Sequence, residues 1–422
     1  MNQFNFLSLF SSDVSTPLKQ LRQTAPPSET FSIEVTVSDV TTTSAELETN
    51  SREFLAVEYS LTPDFETIAG IEIADPEPPS DGRDVDLDID LTGLTPNQTY
   101  YYRLTDAQGN SERGRFETLV DVGLSGTGDF VVFGDSLSDT GNLFLALDQQ
   151  QPPSPPYFQG RFSNGPILPE WMAERLGVAA PIPALAGGNN YAFAGAQTGP
   201  GTLDNGAPNV GQQIEAYLSQ DRPESEDLFY LSAGANDLIF GQRSPEAIAD
   251  HLTDHISTLA EAGAQQFLIS NLPDIGQLPA VLSQGQGDVL TGAVLETNQR
   301  LDARFESLEQ QLGIDILELD FAGAFEEILQ NPQQFGFTNT TESALDPLTG
   351  EVVDNPEEYL FWDEIHPSTR THELITRLSL TELQSLEAFA LEEAEAPLRD
   401  LELFDSEISE LAIADEATMS LL

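Results

Sequence analysis

The chain of 422 residues contains no cysteine and one lysine, and no run of 18 or more apolar residues occurs in it. The missing cysteines exclude disulfide bonds, thiolate nucleophiles and cysteine–zinc sites. A membrane-spanning helix needs about 20 consecutive, predominantly apolar residues, so none is predicted. Because the chain holds four histidines in total, a histidine-rich metal centre is not expected. We therefore predict neither a metal ion nor a cofactor.

Positive charge is scarce throughout the chain. There are 71 acidic and 16 basic residues, which gives a formal net charge of −55. Such a chain repels nucleic acid phosphates and anionic lipid surfaces, so nucleic acid is excluded as a partner. The acidity is spread along the chain and has two interpretations: adaptation to high salt, which screens self-repulsion, or an acidic exported protein. A third is a very soluble protein whose acidity lies in flexible parts.

The N-terminal third has the pattern of a small β-sandwich. Residues 1–30 are polar and contain Pro, Ser and Gln, which predicts a flexible lead. Between residues 31 and 119, short alternating stretches are separated by turn residues, as is typical of a sandwich. The predicted strands include residues 31–37, 43–48, 55–59 and 85–91.

One stretch of this region resembles a known module. Residues 93–100 read GLTPNQTY, which is similar to the fibronectin type III segment whose tyrosine forms a tyrosine corner. Tyr100 is the matching position, and the resemblance covers about residues 31–119. It implies a spacer or binding module; the alternative is a set of exposed hairpins.

After a linker at 120–129, the pattern changes to that of an α/β domain over residues 130–385. Fully apolar strands alternate with amphipathic helices, which predicts a parallel sheet covered on both faces. The predicted strands are 130–133, 228–232, 266–270 and 314–319, and the predicted helices are 169–176, 210–218, 245–262 and 287–312. Ligands bind at the carboxyl ends of such strands. Residues 386–422 are predicted to be an acidic tail.

A serine turn follows the first of these strands. Residues 134–142 read GDSLSDTGN. Gly134 permits a tight turn, and Ser136 falls where the strand passes into a helix, with its Oγ exposed as a nucleophile requires. The alternative is a plain turn in which Ser136 caps a helix, and that alternative is favoured for a G-D-S sequence taken alone.

Two more polar clusters follow later strands. Residues 190–196 are rich in small side chains, so backbone N–H groups there can approach a substrate; the alternative is a tight turn. Residues 234–237 read GAND, and the neutral amide of Asn236 suits an oxyanion. Its alternative is helix capping.

Residues 361–367, which read FWDEIHP, favour a catalytic role for these segments over turns and helix caps. Asp363 and His366 are three apart, and in a helical turn such residues share a face, so the carboxylate can orient the imidazole. Pro367 and the polar residues after it predict a helix over about 373–380. The alternative is a capped helix start with a surface histidine. A serine turn on the first strand favours the catalytic interpretation.

The remaining histidines carry weaker patterns. His251 and His255 are four apart on a predicted helix, a spacing that can bind a metal, but no third ligand is evident. His372 is predicted to be a solvated helix residue.

Taken in order, these segments resemble the GDSL (SGNH) esterase/lipase family. The matching positions are residues 134–137, Gly195, residues 234–237 and residues 363–367. The resemblance implies a flavodoxin-like three-layer domain with a Ser136–His366–Asp363 triad. It also implies an oxyanion hole formed by Ser136, Gly195 and Asn236.

Further signatures are similar to the longer-chain branch of the family, which includes plant GDSL lipases and bacterial phospholipid acyltransferase and haemolysin-like enzymes. They are residues 138–142, 160–165 and 271–274. There is no G-x-S-x-G, so an α/β-hydrolase elbow is not supported.

The expected activity is hydrolysis of a small-molecule or lipid carboxylic ester through an acyl-enzyme. The alternatives are an acyltransferase with the same triad and a non-catalytic binding protein on the same scaffold. The surface charge favours soluble or short-chain esters over membrane phospholipids. No oligomeric state is predicted.

A fibronectin-like module ahead of a hydrolase is typical of extracellular proteins, so an extracellular or cell-surface location is expected. Residues 1–15 lack a basic stretch followed by a continuous apolar stretch, and no N-terminal secretory signal is predicted. The alternative location is the cytoplasm of a high-salt organism.

Overall fold

The computed structural model of the chain describes residues 35–49, 55–74, 87–106, 109–123, 128–204, 206–241, 243–346 and 349–386. The chain divides into two compact units between Asp121 and Val122. The predicted lead and nearly all of the predicted acidic tail lie outside the described residues. In the part of the chain that is described, no helix combines the length and the apolar character needed to cross a bilayer.

The N-terminal unit contains two antiparallel sheets, in the strand orders β1-β2-β5 and β4-β3-β6-β7. The strands are β1 (Val35–Ser38), β2 (Ser44–Thr49), β3 (Leu55–Ser60), β4 (Ile68–Ala74), β5 (Leu87–Thr92), β6 (Thr99–Asp106) and β7 (Ser111–Glu117). Alternate residues of β6 are buried, as expected for a strand with one face on a core. The all-β character predicted for this region is confirmed.

Two edge strands, β4 and β7, were not predicted. Each carries a glycine on which a tyrosine ring from the neighbouring strand lies, Tyr59 on Gly70 and Tyr102 on Gly114. Glycine weakens a strand pattern because it contributes no side chain to packing. The tyrosine rings supply the missing cover, and that compensation is not visible in the edge strands' own sequence.

Tyr100 begins the core-facing row of β6. Its hydroxyl accepts a hydrogen bond from the backbone N–H of Thr95 at 3.0 Å. Its ring stacks on Phe116, with centroids 5.7 Å apart. A tyrosine that bonds back to the chain a few residues upstream is the feature that defines a tyrosine corner.

The C-terminal unit is built on a parallel sheet in the order β11-β10-β9-β8. Its strands are β8 (Phe130–Gly134), β9 (Leu228–Ser232), β10 (Gln266–Ser270) and β11 (Asp315–Leu319). All residues of β8, β9 and β10 are buried, which agrees with the prediction of a sheet covered on both faces.

A further segment, residues 189–193, pairs with the other edge of β8. Val132 N–H donates to Asn189 O at 3.0 Å, Tyr191 N–H donates to Val132 O at 2.8 Å, and Phe193 N–H donates to Gly134 O at 3.0 Å. With this segment as the second strand in chain order, the spatial order is 2-1-3-4-5. That is the flavodoxin-like order, and its switch point lies between β8 and β9. The predicted three-layer α/β class is confirmed.

Helices connect and cover these strands. They are α1 (Asn142–Ala146), α2 (Leu168–Leu176), α3 (Val210–Gln220), α4 (Ala235–Ile239), α5 (Pro245–Ala262), α6 (Pro279–Ser283), α7 (Gly287–Leu312), α8 (Phe321–Gln330) and α9 (residues 369–386). The bounds of α5 and α7 are those predicted. The short parallel pair β12 (Asn339–Ser343) and β13 (Tyr359–Phe361) precedes α9.

Candidate active site

Ser136 lies just beyond the carboxyl end of β8. At Gly134 a Cβ would stand 2.4 Å from the carbonyl oxygen of Ser232, so a larger residue does not fit where β8 and β9 end. The chain then turns, and the carbonyl of Asp135 accepts hydrogen bonds from Ser138 N–H and Asp139 N–H at 3.1 and 3.0 Å. This turn places Ser136 at the switch point of the sheet, where ligands bind.

His366 faces Ser136 with one ring nitrogen and Asp363 with the other. The distance from His366 Nε2 to Ser136 Oγ is 2.9 Å. His366 Nδ1 lies 2.8 Å from Asp363 Oδ2 and 3.0 Å from Asp363 Oδ1. The three side chains predicted to act together are therefore in contact, although Ser136 and His366 are 230 positions apart.

The backbone between Asp363 and His366 differs from the predicted helical turn. It forms a bend between β13 and α9. Asp363 Oδ1 accepts hydrogen bonds from the N–H groups of Ile365 at 2.8 Å and His366 at 2.7 Å. The prediction of a helical turn was wrong because the aspartate side chain itself closes this turn. The pair still meets, since the same carboxylate holds both the backbone and the ring of His366.

Two aromatic residues that the sequence analysis assigned no role also contact this pair. Tyr157 Oη donates a hydrogen bond to Asp363 Oδ2 at 2.7 Å. The Phe162 ring lies with its centroid 4.9 Å from that of the His366 imidazole. Next to it, Ser163 Oγ donates to Pro367 O at 2.9 Å. The only sequence signal for these contacts is the segment 160–165, which is similar to a family signature and by itself assigns no role to its side chains.

These contacts fix the charge of Asp363. Burial alone would raise the pKa of this carboxyl, but the attraction of His366 and the hydrogen bonds from His366 and Tyr157 lower it to about 2. Burial, and then the charge of Asp363, raise the pKa of Tyr157 above its ordinary value. At neutral pH, Asp363 is therefore a carboxylate and Tyr157 is a hydrogen-bond donor.

The loop that carries Gly195 is tied to the serine turn through Asp139. Asp139 Oδ2 accepts from Ala194 N–H at 2.9 Å, and Oδ1 accepts from Gly141 N–H at 2.8 Å. Asp139 is fully buried. Gly195 has a φ of +85°, in the left-handed region that favours glycine. The loop that carries Gly195 is thus joined to the serine turn by a buried carboxylate.

Asn236 is the second residue of α4, which follows β9, and it lies between the same two loops. Its Nδ2 donates to Ala196 O at 3.0 Å and has a longer contact of 3.4 Å with Asp135 Oδ2. A hydrogen bond of 3.4 Å is weak, so that second N–H can be redirected to a ligand oxygen. The sequence-predicted Asn236 therefore contacts the serine turn, and the predicted Gly195 lies in the loop that Asp139 ties to that turn.

A polar network holds the chain that follows Gly195. Asp237 is completely buried and accepts from Thr198 N–H and Thr198 Oγ1, each at 2.9 Å. Arg243 pairs with Asp237 at 2.9 Å. His251 Nδ1 is 3.1 Å from Thr198 Oγ1, and His255 Nε2 is 2.6 Å from Thr198 O.

His251 and His255 of α5 therefore contact the loop that follows Gly195, through Thr198. Within the residues that the structure describes, no group of three or more His, Cys, Asp or Glu side chains has the arrangement needed to hold a metal ion.

The solvent exposure of His372 differs from the prediction. It is completely buried rather than solvated, because α9 begins at residue 369, earlier than the predicted start near 373. Burial, and then the charge of His366, lower the pKa of His372 to about 3, so its imidazole is neutral. Neither ring nitrogen has a hydrogen-bond partner among the described residues.

An apolar cleft of about 660 Å³, including the open solvent at its mouth, begins at Ser136 and His366. Its walls come from the segments after β9 and β10 and from α8 and α9. The lining includes Leu137, Ile239, Ile275, Leu278, Phe321, Phe325, Ile365, His372 and Ile375.

The family of the chain follows from a match to a known family model. Residues 130–378 match the family model described as GDSL-like Lipase/Acylhydrolase. The chain belongs to this family. The matched region contains every residue of the site described above.

The relatives of this GDSL family chain include bacterial and plant proteins. It is 28% identical to a phosphatidylcholine-sterol acyltransferase of Aeromonas hydrophila, over 60% of this chain and 90% of that protein. It is 30% identical to a thermolabile hemolysin of Vibrio parahaemolyticus, over 61% of this chain and 64% of that protein. A GDSL esterase/lipase of Arabidopsis thaliana is 29% identical, over 62% of this chain and 89% of that protein.

Among solved structures, a lipolytic G-D-S-L family member from Veillonella parvula is 18% identical and has a TM-score of 0.35. It covers 62% of this chain and 98% of its own.

Proposed function

We propose that the chain hydrolyses carboxylic esters, with Ser136 as the nucleophile. The observation that carries this proposal is the contact of His366 Nε2 with Ser136 Oγ at 2.9 Å, while Nδ1 of the same ring faces the Asp363 carboxylate. A nucleophile, a base within hydrogen-bond reach of it and a third group that orients the base make up a serine hydrolase site.

In the first step, Ser136 Oγ attacks the ester carbonyl carbon and His366 Nε2 takes the Oγ proton. The carbonyl oxygen becomes an oxyanion. We assign its hydrogen-bond donors to the backbone N–H groups of Ser136 and Gly195 and to the side-chain amide of Asn236. The support for this assignment is that Asn236 and the loop of Gly195 are both tied to the serine turn and that the Asn236 amide has a weakly held N–H.

In the second step, the tetrahedral intermediate collapses. The bond between the carbonyl carbon and the alcohol oxygen breaks, and His366 gives its proton to the leaving alcohol. The product is an acyl-enzyme on Ser136. Water then attacks this ester with His366 again as the base, the carboxylic acid leaves, and Ser136 recovers its proton. Asp363 holds the imidazole orientation and stabilises the imidazolium in both steps.

The cleft supports an apolar acyl group. Its walls are mainly aliphatic and aromatic side chains and it opens beside Ser136. Burial of hydrocarbon supplies about 0.8 kcal/mol for each CH₂ group, so a chain that fills the cleft binds better than acetate. The formal charge of −55 disfavours anionic lipid surfaces and leaves neutral small-molecule and lipid esters as the substrate class.

Turnover of p-nitrophenyl esters from acetate to palmitate, at low and high salt, tests the proposal. We expect the wild-type chain to release nitrophenol, and Ser136→Ala to lose activity by several orders of magnitude. Ser138→Ala, two residues further along the same turn, is the matched control and should retain activity. Unchanged turnover in Ser136→Ala would overturn the assignment.

Labelling by a fluorophosphonate separates an enzyme from a non-catalytic binding protein on the same scaffold. The reagent forms a covalent bond only with an activated serine. Peptide mapping should find the label on Ser136, and no label in Ser136→Ala. A chain that is folded but not labelled would support the binding protein.

Acyl transfer to an alcohol is the second candidate function, because the chain is similar to an acyltransferase over most of that protein's length. Hydrolysis and transfer share the acyl-enzyme and differ in which hydroxyl attacks it. Product analysis with and without an added sterol or primary alcohol measures the partition. New ester in place of free acid identifies the acyltransferase.

We further infer that residues 31–119 form a fibronectin type III-like module, joined by a linker at 120–129 to the hydrolase domain at 130–385. The strand orders of the two N-terminal sheets and the hydrogen bond from Thr95 N–H to Tyr100 Oη support this. Limited proteolysis of the full chain tests the boundaries: cleavage between residues 120 and 129 ahead of either unit is expected. An extracellular or cell-surface location stays a prediction.

A further inference from the structure

His372 is a histidine that the proposed mechanism does not use and that has no hydrogen-bond partner among the described residues. The other three histidines of the chain contact hydrogen-bonding groups, Ser136 and Asp363 in the case of His366 and Thr198 in the case of His251 and His255. Neither His372 Nδ1 nor Nε2 has such a partner among the described residues, although the ring is completely buried. Buried polar groups in native proteins are nearly always paired, so an unpaired imidazole indicates a partner that arrives from outside.

The position of His372 indicates that this partner is a ligand bound in the cleft. His372 lines the same cleft as Ser136, near Phe321, Phe325 and Ile375. It lies in the first turns of α9, six positions after His366. The cleft therefore holds both the reacting serine and a second polar group among mainly apolar side chains. An apolar pocket with a few polar groups fixes the orientation of a ligand that is mostly hydrocarbon.

The hydrogen-bonding chemistry of the His372 imidazole indicates which chemical group of a ligand it binds. A neutral imidazole has one N–H donor and one nitrogen acceptor, so it can both donate to and accept from a hydroxyl. Burial lowers the pKa of His372 to about 3, and a ring that stays neutral offers no charge to a carboxylate. The mainly apolar surroundings oppose a charged ligand further, because removing its charge from water is costly.

We propose that His372 is a specificity-determining residue that binds a hydroxyl group on the acyl chain of the substrate. The preferred substrates are then esters of hydroxy fatty acids. This inference rests on the proposed ester hydrolysis and deepens it by naming the acyl class. Because His372 is covered in the substrate-free chain, it is reached only by an acyl chain that fills the cleft. A hydroxyl beside the ester carbonyl is expected to have no effect.

The experiment compares p-nitrophenyl octanoate with its derivatives that carry a hydroxyl at carbon 2, 4, 6 or 8. The measured quantity is kcat/KM for each hydroxy ester divided by kcat/KM for octanoate. In the wild-type chain this ratio should exceed one for at least one ester hydroxylated beyond carbon 2. In His372→Leu, the ratio for that ester should fall about five- to tenfold, the equivalent of one hydrogen bond.

Two further variants control for packing. His372→Gln keeps a donor and an acceptor and should retain part of the preference. Ile375→Val changes the volume of the same cleft without a polar atom, and it should alter kcat/KM for all the esters alike. His372→Leu is expected to fold, because replacing an unpaired buried polar ring by an apolar side chain removes an unmet hydrogen-bonding requirement.

The outcomes separate the two proposals. If the wild-type chain hydrolyses none of these esters, the proposed function fails. If it hydrolyses octanoate but the ratios are the same in wild type and His372→Leu, the hydroxyl subsite is overturned and ester hydrolysis stands. A second measurement uses Ser136→Ala with ¹⁵N-labelled histidine. The His372 ring signals should shift with the preferred hydroxy ester bound and not with octanoate.

Discussion

Asp363 Oδ2 accepts the Tyr157 hydroxyl at 2.7 Å and also faces His366 Nδ1 at 2.8 Å. One carboxylate oxygen thus serves both a phenol and the imidazole proposed as the base. The other oxygen holds the backbone turn. Asp363 is therefore fixed in one orientation by groups from two distant parts of the chain, and Tyr157 is a positioning residue in the proposed mechanism.

Tyr157→Phe is expected to lower kcat about tenfold, the effect of losing one hydrogen bond to a charged group, with little change in KM. Steady-state kinetics with a p-nitrophenyl ester measure both parameters. Tyr191→Phe, whose ring packs on Phe133, is the control; equal losses in the two variants would contradict a positioning role.

Much of the sheet could be predicted because its strands are short apolar runs with polar ends. The predicted bounds 228–232 and 266–270 are those of β9 and β10. The pairing of residues 189–193 with β8 was not predicted. That segment starts with two asparagines and has an apolar stretch of only three residues, 191–193, so its composition resembles a loop, and its pairing is carried by backbone hydrogen bonds. An apolar stretch this short does not by itself predict a strand.

Within the site, the residues that lie in recognisable motifs were predicted, including Ser136 and His366, and Tyr157, which lies in none, was not. Asp363 and His366 are three positions apart, and their spacing is informative by itself. Tyr157 is 206 positions from Asp363, and no local pattern links them. His372 was misjudged for a different reason: the helix begins at residue 369, about one turn before its predicted start, and His372 lies within it on the buried side.

Asn236→Ala is expected to lower kcat by about 10²–10³-fold, as loss of one oxyanion donor does, with a smaller effect on KM. The physical reason is that the donor acts on charge that exists only in the transition state and intermediate. The measurement is steady-state kinetics on the best p-nitrophenyl ester.

A structural effect of this variant has to be separated from a catalytic one, because Asn236 Nδ2 also donates to Ala196 O. Thr198→Val is the comparison, since Thr198 Oγ1 holds the same loop through Asp237 and lies outside the proposed oxyanion hole. If the two variants lose activity equally, Asn236 supports the loop and is not an oxyanion donor.

His372→Leu should make the chain more resistant to acid. The pKa of His372 is lowered from 6.5 to about 3 in the folded chain, so below pH 6.5 the unfolded chain binds a proton that the folded chain does not. Stability is therefore lost as pH falls from 6.5 towards 3, by about 1.4 kcal/mol per pH unit at most. Leucine cannot bind a proton, so the variant does not have this loss of stability at low pH.

Thermal unfolding of wild type and His372→Leu at pH 8, 6 and 5 measures the effect. The difference in Tm between the two chains should be constant above pH 7 and should grow in favour of the variant below pH 6.5. A difference in Tm that does not change with pH would show that His372 is protonated in the folded chain. Ile375→Val supplies the control, because it alters packing nearby without a titrating group.

Salt should stabilise the folded chain, because the formal net charge of −55 sets up self-repulsion that is stronger in the compact state than in the unfolded one. The screening length falls from about 10 Å at 0.1 M salt to about 3 Å at 1 M, so most of the repulsion is removed across that interval. We expect Tm to rise between 0.05 and 1 M NaCl and to level off above it. KCl should act equally, since screening depends on ionic strength. A Tm that stays constant or falls would contradict adaptation to salt and would favour an acidic exported protein whose charges are already well separated.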